Sequence, residues 1–231
     1  KKYRSRLASK DKEIEKTRKE EAKKAEALAT QKYKSQLESK DKEIEKTKKE
    51  AEEKAKIDAS KDLEKKYDLL YIGRLTEQKN IEILLESVIG LKLKILFIGK
   101  GPLKKNILNY KKKYDLNLEL IDMVPNQDLP VYLNSASIFI LPSSFEGNPK
   151  SLLEAMSCEI PVIGANSPGI SNLITHNNNG YICEPTIDGI RNAINDLINK
   201  VELQNKLSKN ARRYIIENFS LDLIVKRESE L

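Results

Sequence analysis

From Tyr67 onward the chain alternates short apolar runs with amphipathic stretches, and turn-forming residues separate them. Residues 67–72 (YDLLYI), Leu93 to Ile98, Leu116 to Ile121, Ile138 to Leu141 and Ile160 to Ile163 are short, apolar and punctuated, so they read as five strands. Between them the spacing becomes helical. Ile81, Leu84, Leu85 and Val88 share one face, Gly99, Gly101 and Pro102 turn into a helix through Tyr114, and Asp128 is placed to cap a short helix through Leu133. NSPGISNLI at 166–174 predicts a loop and a further helix, and 188–200, 202–218 and 221–230 predict three terminal helices. Alternation in short strand–helix units dictates a parallel sheet with helices on both faces. Ligands of such folds bind beyond the carboxyl ends of the strands.

The richest of those ends is Phe145 to Pro161, FEGNPKSLLEAMSCEIP. Gly147 and Asn148 permit tight backbone geometry and Pro149 suits a first helical position, so a helix is predicted to start there. The N–H groups of Lys150, Ser151 and Leu152 then point out of its N-terminus, where the dipole favours an anion. Glu146 stands just before this helix and Glu154 about a turn and a half inside it, so both can face one cleft. Ser143 is delivered to the same cleft by the fourth strand. Arg74 follows Gly73 at the end of the first strand and Lys79 stands at the next helix entrance, which lets both cations reach that cleft. Amides that seek phosphate, flanked by two carboxylates, suit a ligand carrying both phosphates and hydroxyls, such as a nucleoside diphosphate sugar.

On these residues the chain resembles a known family. The run LPSSFEGNPKSLLEAMSCEIPVI is similar to the E-x7-E signature of retaining GT-B glycosyltransferases, family 4 type, and GRLTEQK is similar to their Gly-Arg-Leu…Lys pattern. The Gly-x-Gly-Pro turn at Gly99 resembles the family's second βα turn, a place for backbone to pass close to ligand or partner domain or simply a turn. The resemblance covers residues 67–231 and implies a single Rossmann-like parallel sheet domain, the donor-binding C-terminal half of a two-domain enzyme. It implies that Arg74 and Lys79 hold the donor diphosphate, Glu146 the sugar hydroxyls and Glu154 the ribose. Gly73, Gly99, Met123, Val124, Ser143 and residues 147–152 (Gly147, Asn148, Pro149, Lys150, Ser151 and Leu152) would complete the substrate contacts, with Met123 and Val124 at the nucleotide base. No cofactor or catalytic metal is implied; the nucleotide sugar is a substrate, UDP-linked in preference to GDP-linked. The acceptor would be a glycan or lipid-linked sugar, held by an N-terminal acceptor domain or a partner chain. Without it, the chain is expected to be inactive or weakly active. Four places depart from the family pattern: the glycine common around Met123 to Pro125 is missing, Pro168 replaces the first glycine of a pair completed by Gly169, Glu159 replaces a glycine, and Asn172 replaces a glutamate.

Residues 1–66 are of another kind. They lack glycine and proline, and KKYRSRLASKDKEIEKTRKE at 1–20 returns as QKYKSQLESKDKEIEKTKKE at 31–50, a period of 30 residues. Alanine, glutamate, lysine and leucine dominate, and acid-before-base pairs such as Glu15 with Lys19 and Glu45 with Lys49 support a long charged helix. Its apolar seam is broken between Leu28 and Leu37, which leaves a solitary helix and an imperfect coiled coil, with helix-mediated assembly, both open. This segment carries 23 Lys and Arg against 16 Asp and Glu, while the remaining residues carry 19 of each. The excess charge of +7 therefore belongs to it alone and is no evidence for nucleic-acid binding by the rest.

Cys158 and Cys183 show no metal or disulfide spacing, and the apolar stretches are too short to span a bilayer. A cytoplasmic location is expected, peripheral at the inner membrane face if the acceptor or other parts hold the protein there. His176, in a polar HNNNG turn, reads as an exposed loop residue. The competing reading is a helix-mediated interaction or scaffold protein with a degenerate nucleotide-sugar site.

Overall fold

The computed structural model describes residues 65–219, together with Gln31, Ser39, Lys40, Lys42, Glu43 and residues 45–47, which are helical. Among these, Thr47 Oγ1 donates to the Glu43 carbonyl one turn back at 2.8 Å. The rest of the predicted charged helix or coiled coil, and the helix predicted over 221–230, fall outside the described residues.

The chain from Tyr67 forms one six-stranded parallel sheet. In chain order come β1 (Tyr67–Ile72), α1 (Ile81–Val88), β2 (Ile95–Ile98), α2 (Lys104–Lys113), β3 (Leu118–Ile121) and α3 (Leu129–Asn134). Then follow β4 (Ala136–Leu141), α4 (Lys150–Ser157), β5 (Val162–Ala165), β6 (Tyr181–Cys183), α5 (Ile187–Ile198) and α6 (Val201–Phe219). The strand order is β3-β2-β1-β4-β5-β6. The order runs one way from β1 to β3 and reverses at β4, which makes the β1/β4 seam the topological switch point. Leu69 pairs with both Ile95 and Ile138, so β1 and β4 are central and buried on both faces. Leu69, Leu70, Tyr71, Ile138, Phe139 and Ile140 are at most 1% exposed. On the layers that cover the sheet, α1 packs against α2 and α5, and α4 against α6.

The strand predictions hold in type, and their edges move for local reasons. Leu93 and Leu116 do not join the ladder; the N–H of Leu93 closes on Leu91 and that of Leu118 on Leu116. Asp128 does not cap α3 through its side chain; the helix instead grows out of a 3-10 turn, Asn126–Asp128. The helix predicted after Gly169 is absent: residues 168–173 form turns. In its place the sheet gains β6, a strand the apolar pattern did not announce. Glu159, where the family pattern has glycine, has φ +60 and so sits in the left-handed region. Arg212 donates to the Ser157 carbonyl at 2.6 Å and lies 3.9 Å from the Glu159 carboxylate, which ties this strained end of α4 to α6.

Candidate functional site

Three βα loops meet at the carboxyl edge of β1, β4 and β5. The β1 loop turns at Gly73 and Arg74, forms a 3-10 turn over Glu77–Lys79 and enters α1 through Asn80, which takes φ +51. Asparagine tolerates this conformation better than most side chains do. The loop is then sewn to the β4 loop. Asn80 donates to the Pro142 carbonyl at 2.8 Å, Ser144 donates through both its N–H and its hydroxyl to the Gln78 carbonyl, and Gln78 Nε2 donates to the Phe145 carbonyl at 2.9 Å. The β5 loop supports the same stretch from the other side. Ser167 donates its hydroxyl to the Ser143 carbonyl at 2.8 Å, and the Glu146 N–H donates to the Pro168 carbonyl at 2.9 Å. Gly169 has φ +85, and a Cβ there would lie 1.9 Å from the Glu146 carbonyl oxygen, so only glycine permits this approach.

This stitching brings Lys79 and Glu146, 67 residues apart in sequence, to 2.5 Å. Their side chains are 10% and 8% exposed, so the pair is largely removed from water. Such an arrangement holds only while both charges are present, because either one alone would be a desolvated ion. The lysine ammonium has three donor hydrogens and the pairing occupies one of them. Arg74 is exposed, and its guanidinium has no hydrogen-bond or ion-pair partner among the described residues. The loop thus presents one unpaired cation beside one paired cation.

The helix α4 begins at Lys150 with Pro149 as N-cap, one residue later than the predicted start at Pro149. The expectation that three amides point outward is corrected by the local turn. The Lys150 N–H donates to the Asn148 carbonyl and the Leu152 N–H to the Pro149 carbonyl, which leaves Ser151 as the one of the three without a backbone partner. The Leu152 side chain is buried in the core, whereas Gly147, Asn148 and Lys150 are exposed. Glu154 is half-buried in the second turn of α4, and burial raises its carboxyl above the ordinary value against the opposing pull of Lys150. Ser143 is fully buried, and its hydroxyl has no hydrogen-bond partner among the described residues. Met123, 71% exposed, and Val124, half-buried, lie on the same edge just past β3, two strands from β1.

Gly99 and Gly101 are places of close backbone approach. A Cβ at Gly99 would meet the Gly73 carbonyl at 1.9 Å, and one at Gly101 the Leu75 carbonyl at 2.3 Å. The β2 turn is therefore packed backbone to backbone against the loop that carries Arg74. Sequence reasoning missed Gln78, Asn80, Ser144 and Ser167, which do the sewing. Of these only Asn80, an asparagine at a helix entrance, carried a local signal. His176 is exposed, as expected, and its Nδ1 accepts the Ile182 N–H at 3.0 Å, so its place is in the turn before β6. Among the described residues no three His, Cys, Asp or Glu side chains are grouped to hold a metal ion, and no helix is long and apolar enough to cross a membrane.

A doubly wound parallel sheet whose sewn loops lie at the point of strand reversal defines a Rossmann-like domain. Residues 52–214 match the family Glycosyl transferases group 1, and the chain belongs to that family. It is 31% identical over 171 residues to an uncharacterized glycosyltransferase of Haemophilus influenzae, covering 71% of this chain and 48% of that protein. It is likewise 31% identical over 171 residues to the UDP-Gal:alpha-D-GlcNAc-diphosphoundecaprenol alpha-1,3-galactosyltransferase of Escherichia coli, covering 69% of this chain and 43% of that enzyme. The chain thus spans less than half the length of these curated relatives. Its fold matches the C-terminal domain of the glycosyl transferase group 1 family protein LpcC from Francisella tularensis with a TM-score of 0.62 at 22% identity, covering 71% of this chain and 91% of that domain. The fold is therefore of the GT-B type.

Proposed function

We propose that residues 67–231 are the donor-binding domain of a retaining, family 4 type hexosyltransferase, and that its ligand is a nucleoside diphosphate sugar. The observation that carries this reading is the buried Lys79–Glu146 pair at the β1/β4 switch point, on the loop that also carries Arg74. Arg74 and the free donors of Lys79 grip the diphosphate; as the bond between the sugar and the phosphate breaks, they neutralise charge gathering on the leaving oxygen. Glu146, fixed by Lys79 and the β5 loop, accepts hydrogen bonds from sugar hydroxyls. Glu154 accepts two from the ribose, which restores polar partners to a carboxylate that burial has partly stripped of water. The Ser151 amide at the mouth of α4 adds a donor toward the anion, and Met123 with Val124 offers the base an apolar surface.

In the retaining reaction the acceptor hydroxyl attacks from the face that the diphosphate leaves. Its oxygen bonds to the sugar carbon as the carbon–phosphate oxygen bond breaks, and its proton passes to the departing phosphate. No protein nucleophile is required. The acceptor is a glycan or lipid-linked sugar, and its contacts come from an acceptor domain elsewhere in the protein or in a partner. The relationship to a galactosyltransferase named for a UDP sugar and a diphosphoundecaprenol acceptor supports a UDP donor and such an acceptor.

Calorimetry with UDP, GDP and their sugars tests the proposal. Binding that is lost in Arg74→Ala and Glu154→Ala supports it; a parent chain that binds none of these ligands favours a scaffold with a degenerate site.

A further inference from the structure

The side chain of Arg74 has no hydrogen-bond or ion-pair partner among the described residues, so its aim depends on its backbone, and the backbone is held from below. Tyr71 is fully buried on β1 and stacks at a tilt against Phe97, with ring centroids 5.2 Å apart. Its hydroxyl donates to the Arg74 carbonyl at 2.8 Å. The same carbonyl accepts the Thr76 N–H at 3.1 Å, closing a three-residue turn. Gly73 lies directly over this hydroxyl, and a Cβ there would sit 2.7 Å from it. A tyrosine therefore reaches up inside the first strand to fasten the turn from which Arg74 departs, and glycine at position 73 leaves room for that bond. Burial, joined by the charge of Glu146, pushes the Tyr71 phenol far above its ordinary value, so the hydroxyl stays protonated and remains a donor. A phenylalanine would fill the strand equally well. The hydroxyl is the part that packing does not explain.

We infer that Tyr71 is a positioning residue: through its hydroxyl it sets the Gly73–Thr76 turn and thereby aims the Arg74 guanidinium at the phosphates of the ligand. The inference rests on the proposed role of Arg74 and adds a residue that never touches the ligand. Losing one hydrogen bond to the turn is expected to weaken phosphate-dependent affinity about three- to tenfold.

The experiment titrates UDP and uridine into the full chain and into Tyr71→Phe, Arg74→Ala and the double variant, by calorimetry or ligand-observed spectra, with melting curves on each. The expected result is that Tyr71→Phe keeps its fold, loses affinity for UDP, leaves uridine unaffected, and adds nothing in the Arg74→Ala background. Equal losses for UDP and uridine, or an undiminished loss without Arg74, would show a general structural role and overturn the inference. If Tyr71→Phe melts far below the parent, Gly73→Ala, which crowds the same hydroxyl, is measured in its place against the same two ligands. If Arg74→Ala loses UDP while Tyr71→Phe binds like the parent, the donor site stands and the inference fails. A parent that binds no UDP removes both.

Discussion

Two lysine–carboxylate pairs lie on the carboxyl edge of this sheet at the same separation, and they differ in almost everything else. Lys79 and Glu146 join the β1 and β4 loops at 2.5 Å with side chains 10% and 8% exposed. Lys104 and Asp122 join the start of α2 to the end of β3, also at 2.5 Å, with side chains 45% and 48% exposed. The outer pair is dissolved in water that screens it and can replace either partner, so it decides little. The inner pair has given up its water, and each charge depends on the other. Distance alone does not distinguish the two pairs; burial does.

The largest expected effect breaks this symmetry directly. Lys79→Ala strands Glu146 and is expected to cost about 3 kcal/mol in urea unfolding, whereas Lys104→Ala leaves the unfolding midpoint unchanged within error. Replacing both members of the inner pair, Lys79→Met with Glu146→Leu, recovers most of the loss in stability while abolishing nucleotide-sugar binding. Equal effects at Lys79 and Lys104 would erase the distinction.

A second comparison sharpens the role of the β5 loop behind the inner pair. Gly169→Ala forces a Cβ onto the Glu146 carbonyl from a positive φ and is expected to cost about 2 kcal/mol together with ligand affinity. Gly147→Ala, with nothing within 4 Å of the added carbon, stays within about 0.5 kcal/mol of the parent.

The smallest effect concerns Glu154, whose carboxyl is raised by burial. The folded protein then holds its proton more tightly than the unfolded chain does, so stability falls as pH rises from the ordinary carboxylate value through the raised one and stays lower above it. Glu154→Gln should therefore melt slightly higher than the parent at neutral pH and level with it in acid. The same substitution should weaken nucleotide binding. Asp122 behaves in the opposite sense: Lys104 holds its carboxyl below the ordinary range, so any stability it lends is present at neutral pH and lost as pH falls.

Much of this arrangement was legible from local pattern. The five apolar runs announced their strands, and Gly147 to Pro149 announced the start of α4, because strand length and helix initiation are set by neighbours in sequence. The Lys79–Glu146 pair was not legible. It exists because β4 lies beside β1, and that adjacency follows from the whole strand order. The glycines at 99 and 101 announced a turn, but the sequence shows a missing side chain and not the backbone of Gly73 and Leu75 that packs into its place. Tyr181–Cys183 was overlooked because three residues at a sheet edge carry too short an alternation to read. After Gly169 the apolar spacing suggested a helix, but Gly169 at φ +85 and successive turn bonds from Ser167 and Ile170 hold the chain in turns. Resemblance to the glycosyltransferases supplied roles for Arg74, Glu146 and Glu154; the geometry supplied the support around them, from Gln78, Asn80, Ser144 and Ser167.

The central claim is that the β1/β4 seam, and not the β2/β3 edge, receives the nucleotide diphosphate. Amide chemical-shift mapping during titration with a UDP sugar tests it most directly. The account predicts shifts concentrated at residues 73–80 and 143–154 with a smaller set at Met123 and Val124. Shifts centred on Lys104 and Asp122, or spread evenly over the domain, would contradict it.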